Sequence, residues 1–154
     1  MSELLDIAKG AIKLAMDKGA QEASAGTYRS REVEITWRDG KVEKVSEATT
    51  RGLSISLYVD GRYSSVSTSD LRPEALSKFV EESIAMARTL AKDPFRKLPD
   101  PKLYEGRANV DLELADAKYQ ELTPEKRREL AAALEAAARS VKGKGEILSV
   151  ETSV

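Results

Sequence analysis

The sequence predicts an α+β fold: an antiparallel meander of four to six strands with helices packed on one face. Three observations carry this. Asp39-Gly40 and Asp60-Gly61 are each flanked by strand-like residues, and both residue types tolerate the positive φ of a type I′ hairpin turn. Leu53, Ile55, Leu57 and Val59 alternate with Ser54, Ser56 and Tyr58, the period of a strand with one wet face. Helix-period stretches flank this region on both sides.

The first helix begins near Ser2, a suitable N-cap, with Glu3 and Asp6 in the first turn to complement the macrodipole. Leu4, Ala8, Ala11, Ile12 and Ala15 follow helical spacing, and Gly19 supplies a C′ residue. Glu22–Arg29 reads as a weak first strand and Glu32–Arg38 as a clearer second, with Val33, Ile35 and Trp37 on the core side. Lys41–Ser46 returns, but Val42 and Val45 lie three apart, which suggests a bulge. Gly52–Val59 and Arg62–Ser67 pair across Asp60-Gly61. Pro73 sits at N1 of a second helix whose buried face is Leu76, Phe79, Val80, Ser83, Ile84, Ala87, Leu90 and Ala91. The steric demand of Pro94 on Asp93 stops it.

Pro94, Pro99 and Pro101 mark an extended stretch that wraps over a surface. Thr123-Pro124 then caps and starts a third helix, with Leu130, Leu134, Ala137, Ala138 and Val141 expected to line its core face. Glu146–Thr152 reads as a last strand. The expected organisation is residues 1–92 for the first helix, meander and second helix, 93–122 for the linker, and 123–154 for the third helix and final strand, leading toward a further domain. A strand that stops at Val154 suggests a break within a longer gene.

Composition narrows the functional classes. The 154 residues carry 25 basic and 26 acidic side chains, net charge −1, with no basic stripe, which argues against a nucleic-acid surface. No segment has the length and apolarity of a membrane span or the pattern of a signal peptide, so the cytoplasm is the expected compartment and no membrane partner is expected. With no Cys and no His, the chain lacks thiolate nucleophiles, the commonest metal ligands and the commonest general base. No catalytic, cofactor-binding or metal-ligating residue is assigned. The carboxylate pairs Glu32/Glu34 and Glu81/Glu82 read as solvated faces, and the Ser64–Ser69 run has no base at a useful spacing. Tyr58, on the side opposite Leu57, is the expected exposed aromatic, and the surface near Tyr58 and Tyr63 is the candidate contact for a peptide or partner.

Several stretches together resemble one family: Gly19-Ala20 followed by acidic and small residues, DGKVEKV from Asp39, RGLSISLYVDGR from Arg51, STSDLRPEAL from Ser67, Ala85-Met86-Ala87, LPDPKLY from Leu98 and DLELAD from Asp111. In order and spacing they resemble the N-terminal domain of the TldD/PmbA (TldE) family, the modulators of DNA gyrase, and the PmbA branch most closely. Ser56, Ser64, Ser65 and Ala115 depart from residues common in that family. The resemblance implies a metallopeptidase-related protein. Its zinc, on an HExxxH helix, is expected only in the family's C-terminal half, and PmbA-type subunits need not carry the motif. It further implies pairing with a PmbA/TldD-type subunit as a homo- or heterodimer, peptide substrates for the full assembly, and an indirect link to gyrase. The expected function is therefore a non-catalytic N-terminal domain that helps form the dimer and the peptide-degrading chamber. The alternative is a stand-alone interaction module that uses an exposed sheet edge.

Overall fold

Two left-handed Asp-Gly turns organise the sheet. Asp39 (φ 46°) with Gly40 (φ 82°), and Asp60 (φ 52°) with Gly61 (φ 73°), have the paired positive φ of type I′ turns, whose twist matches the flanking strands. The computed structural model describes residues 2–108, 110–143 and 145–154, leaving aside the side chains of Ser2 and Gln120, so the Ser2 cap falls outside the description. The elements in order are α1 (Ser2–Asp17), β1 (Glu22–Arg38), β2 (Lys41–Val59), β3 (Arg62–Thr68), α2 (Pro73–Ala87), α3 (Pro124–Arg139) and β4 (Glu151–Ser153). Short 3₁₀ turns at Pro101–Tyr104 and Ala117–Glu121 punctuate the stretch between α2 and α3. The sheet is antiparallel, in the order β3-β2-β1-β4.

Two strands replace four of those expected. The polar stretches Arg29–Arg31 and Glu47–Arg51 read as interruptions, yet the backbone stays extended through both, giving strands of 17 and 19 residues. Along β2 the half-buried positions near the first turn are even-numbered (Val42, Ser46), whereas from Leu53 onward the buried ones are odd-numbered.

The chain divides into two compact units that share the long strands: residues 1–30 with 50–107, and residues 31–49 with 108–154. In the first, Leu53, Ile55, Leu57 and Val59 of β2 are fully buried against Ala11 and Ala15 of α1 and Leu76, Val80, Ile84 and Ala87 of α2. Alanines on α1 bring its backbone close to the sheet, while the larger α2 side chains fill the remaining volume. Gly19 (φ 101°) closes α1: its N–H and that of Ala20 donate to the carbonyls of Met16 and Ala15. Helix α2 ends at Ala87, earlier than the proline at 94 requires, and leaves Leu90 41% exposed.

In the second unit, α3 starts as expected, with Thr123 Oγ1 accepting from the Lys126 amide at 3.3 Å and Pro124 at N1. Its buried face differs from the sequence expectation. Arg127, Ala131 and Glu135 are buried, while Leu130 is 47%, Leu134 51% and Val141 68% exposed. Close approach through Ala131, with a carboxylate hydrogen-bonded beneath the helix, takes the place of leucine packing. Strand β4 covers only Glu151–Ser153, shorter than expected, and pairs with Thr36–Arg38; Val154 and Ile35 add two further backbone bonds.

Candidate functional site

The hairpin β2–β3 places both candidate tyrosines on the sheet face opposite the helices. Register pairs Tyr58 with Tyr63, Ser56 with Ser65, and Ser54 with Ser67. Alternation sends these side chains away from the core that Leu53, Ile55, Leu57 and Val59 form. The two rings are tilted neighbours, 5.2 Å between centroids at 54°. Both are half-buried, rather than freely exposed, because the chain after α2 crosses this face.

That crossing has a defined path within the first unit. The Asp93 amide donates to Gly61 O at 2.9 Å, Arg62 Nε donates to Leu90 O at 2.8 Å, and the Leu98 amide donates to Glu22 Oε2 at 2.9 Å. Arg96 consequently lies over the Tyr63 ring, 4.5 Å from its centroid, a cation–π contact. Phe95 stands 91% exposed beside it. Tyr63 and residues Ala91–Arg96 line an open cleft of about 750 Å³. The two phenols are driven apart electrostatically. Burial, then the neighbouring Tyr63 and Glu22, raises the pKa of Tyr58. Hydrogen bonds from Ser56 and Ser65, helped by Arg96, lower that of Tyr63. Arg96 and Phe95 carried no signal in the sequence, since no periodicity marks where an irregular segment will cross a sheet.

The carboxylate pairs behave as solvated faces. Glu34 meets Lys44 at 3.4 Å, Glu81 meets Lys18 at 2.8 Å, and Glu82 meets Lys78 at 3.7 Å. Of the serine run, Ser64 is buried in the first unit and Ser65 Oγ lies 3.4 Å from Ser56 Oγ.

The second unit holds a polar cluster that the sequence did not reveal. Glu135 Oε2 accepts from Trp37 Nε1 at 2.5 Å and from the Gly40 amide at 2.9 Å, while Oε1 accepts from Arg139 Nε at 2.7 Å. Arg139 also pairs with Asp39, which accepts from Ser149 Oγ at 2.8 Å and the Val150 amide at 3.0 Å. The Arg139 bond leads the effects that hold the Glu135 carboxyl below its ordinary pKa, and the Val150 amide leads those that lower Asp39. Trp37 is thus half-buried and anchored by its N–H, not packed wholly in a core. Every polar group of this cluster finds a partner, the pattern of a structural clamp that locks the first hairpin turn to α3.

The donor set does not fit a zinc site. The sequence has no His or Cys, and among the described residues no three carboxylates converge. Likewise no helix among them is long and apolar enough to cross a membrane. The class defined is an α+β fold built on a four-stranded antiparallel sheet.

Residues 23–87 match the family model described as PmbA/TldA metallopeptidase domain 1. Across 128 residues the chain is 31% identical to Metalloprotease PmbA of Escherichia coli O157:H7, covering 83% of this chain and 28% of that protein. It is also 31% identical to the Metalloprotease PmbA homolog of Haemophilus influenzae, covering 99% of this chain and 34% of the relative. A crystal structure of a Bacteroides thetaiotaomicron protein named as a modulator of DNA gyrase superposes with a TM-score of 0.87 at 38% identity, over 99% of this chain and 34% of the other. TldE from Thermococcus kodakarensis shares the fold (TM-score 0.68, 18% identity, 86% of this chain and 29% of that one). The chain belongs to the TldD/PmbA family, as its N-terminal domain. It spans about a third of the length of the relatives it matches.

Proposed function

We propose that this chain is the non-catalytic N-terminal part of a PmbA/TldD-type peptidase or of its partner subunit, contributing to dimer assembly and to the wall of a chamber in which peptides are cut. The observation that supports this most is one of extent. Nearly the whole chain aligns with proteins named metalloproteases, of which it spans about a third, while its own side chains include no His or Cys. Zinc and water activation belong, on this reading, to a chain segment outside these residues, and nothing here takes part in the bond-breaking step.

In this proposal the assembly is cytoplasmic, a homo- or heterodimer of PmbA/TldD-type subunits. The tyrosine face, with Tyr58 and Tyr63, is the surface offered to peptide or partner. Aromatic rings supply large contact area at little entropic cost, which suits that role. The test is the Tyr58→Ala/Tyr63→Ala double variant in the full assembly. Association or peptide binding should weaken at least fivefold, and both unchanged would remove the tyrosine face from the proposal.

A further inference from the structure

Helix α3 buries two charged side chains on one face, and only one of them is balanced. Arg127, Ala131 and Glu135 follow one another at four-residue spacing, so they stack along the same side of the helix. Glu135 is saturated by Trp37, Gly40 and Arg139. The other two arginines of α3 are paired as well: Arg128 meets Glu125 at 3.5 Å, and Arg139 meets Glu135 and Asp39. Arg127 is 8% exposed, yet among the described residues it meets no carboxylate and its guanidinium donates no hydrogen bond. Among those residues no side-chain nitrogen is both sealed from water and unpartnered. The nitrogens of Arg127 therefore reach the surface while its stem is covered.

A buried arginine is nearly always paired, because the cost of taking it out of water is offset only by an opposite charge. Helix polarity adds to the imbalance. Arg127 is the fourth residue of α3, at the end where the free amides carry partial positive charge and favour an anion. Its close companion is Tyr119, in the 3₁₀ turn just before α3, whose ring centroid lies 5.8 Å from the guanidinium carbon. A ring over the guanidinium face supports the cation and leaves the in-plane N–H donors free.

We propose that Arg127 and Tyr119 form a carboxylate-binding site, with the carboxylate oxygens accepting from the free guanidinium N–H groups. The planar fork of a single guanidinium matches a single carboxylate, which takes two parallel bonds. A small free carboxylate and the side chain of an Asp or Glu share this chemistry. The site uses none of the residues of the Tyr58/Tyr63 face and does not depend on the peptidase reading.

The test is an NMR titration of the whole chain, followed at the Arg127 Nε–Hε signal and at the Tyr119 ring protons. Sodium acetate should shift both saturably, with a midpoint on the order of 10–100 mM, the range that one charge-assisted pair supports. Sodium chloride at the same ionic strength should shift them several-fold less. A blocked Gly-Glu-Gly peptide and its Gly-Gln-Gly counterpart separate the two sources. Binding of the Glu peptide at least fivefold tighter than acetate supports the site and assigns it to an acidic side chain; weaker or equal binding supports it as a site for a free carboxylate. Arg127→Met should abolish the acetate shift at Tyr119. Arg127→Lys keeps the charge without the fork and should weaken acetate binding at least fivefold. Equal shifts with acetate and chloride, a shift that never saturates, or equal binding of the Gln and Glu peptides overturns the proposal. The wild-type titrations stand even if either variant fails to fold.

Discussion

The reversed face of α3 makes a quantitative prediction. Ala131 is fully buried beneath the helix, and its carbonyl accepts from Thr152 Oγ1 at 2.8 Å. Leu134, one turn along, is 51% exposed. Burying a leucine completely contributes about 1.5–3 kcal/mol, so with half of its surface still in water Leu134→Ala forfeits roughly 1 kcal/mol. Ala131→Leu forces extra carbons into a closed contact and should cost about 1–3 kcal/mol. If the leucines formed the core face instead, Leu134→Ala would cost about 2–5 kcal/mol and Ala131→Leu almost nothing. Trp37 is the only tryptophan and lies in the same unit, bonded to Glu135 of α3, so its fluorescence during urea unfolding reports this packing. With a slope of about 1.5 kcal/mol/M, the midpoint should fall by roughly 0.7 M for Leu134→Ala and by about 0.7–2 M for Ala131→Leu. A larger loss for Leu134→Ala than for Ala131→Leu would refute the assigned face.

Other outcomes follow from the same structure. Leu57→Ala, at a fully buried site, should destabilise the first unit by about 2–5 kcal/mol in far-UV circular dichroism melts. Gly61→Ala places a side chain at φ 73° with no atom nearby to clash, so its cost should be the left-handed backbone alone, about 1–2 kcal/mol. The hydrogen bonds from Arg72 hold the Asp70 carboxyl down to about 2, below its ordinary 3.8. A depressed carboxylate contributes stability that is present above pH 3.8 and lost as pH falls through about 2; carbon NMR titration should show this, with Arg72→Ala returning Asp70 to the ordinary range. In an absorbance titration Tyr63 should ionise before Tyr58, and Arg96→Ala should narrow the gap.

What could be read from the sequence depended on how local its cause was. Asp39-Gly40 and Asp60-Gly61 dictate their turns through φ alone, Pro73 sets a helix start through its fixed φ at the first helical position, and Thr123-Pro124 adds a side-chain cap to the same device. The alternation from Leu53 to Val59 fixed both the core face and the side on which Tyr58 lies. Strand length was not local. Arg29–Arg31 and Glu47–Arg51 are polar on both faces and look like loops, but pairing between long strands carries the backbone through them. The α3 face was hidden because its contact residues are an alanine and two charged side chains, whereas hydrophobicity pointed to Leu130 and Leu134. Glu135 becomes buried only because Trp37, Gly40 and Arg139 saturate it, and those partners lie up to 98 residues away. The tyrosine pair was legible from alternation; Arg96 over Tyr63 depends on a linker path set by three long-range bonds.

The most direct test of the account is cleavage of an unstructured peptide, in the presence of zinc, by the chain alone and by the chain mixed with a TldD-type subunit carrying HExxxH from the same genome. The account predicts no cleavage by the chain alone and co-elution of the two proteins with cleavage when mixed. Zinc-dependent cleavage by the isolated chain, with its 154 residues lacking any His or Cys, would contradict it.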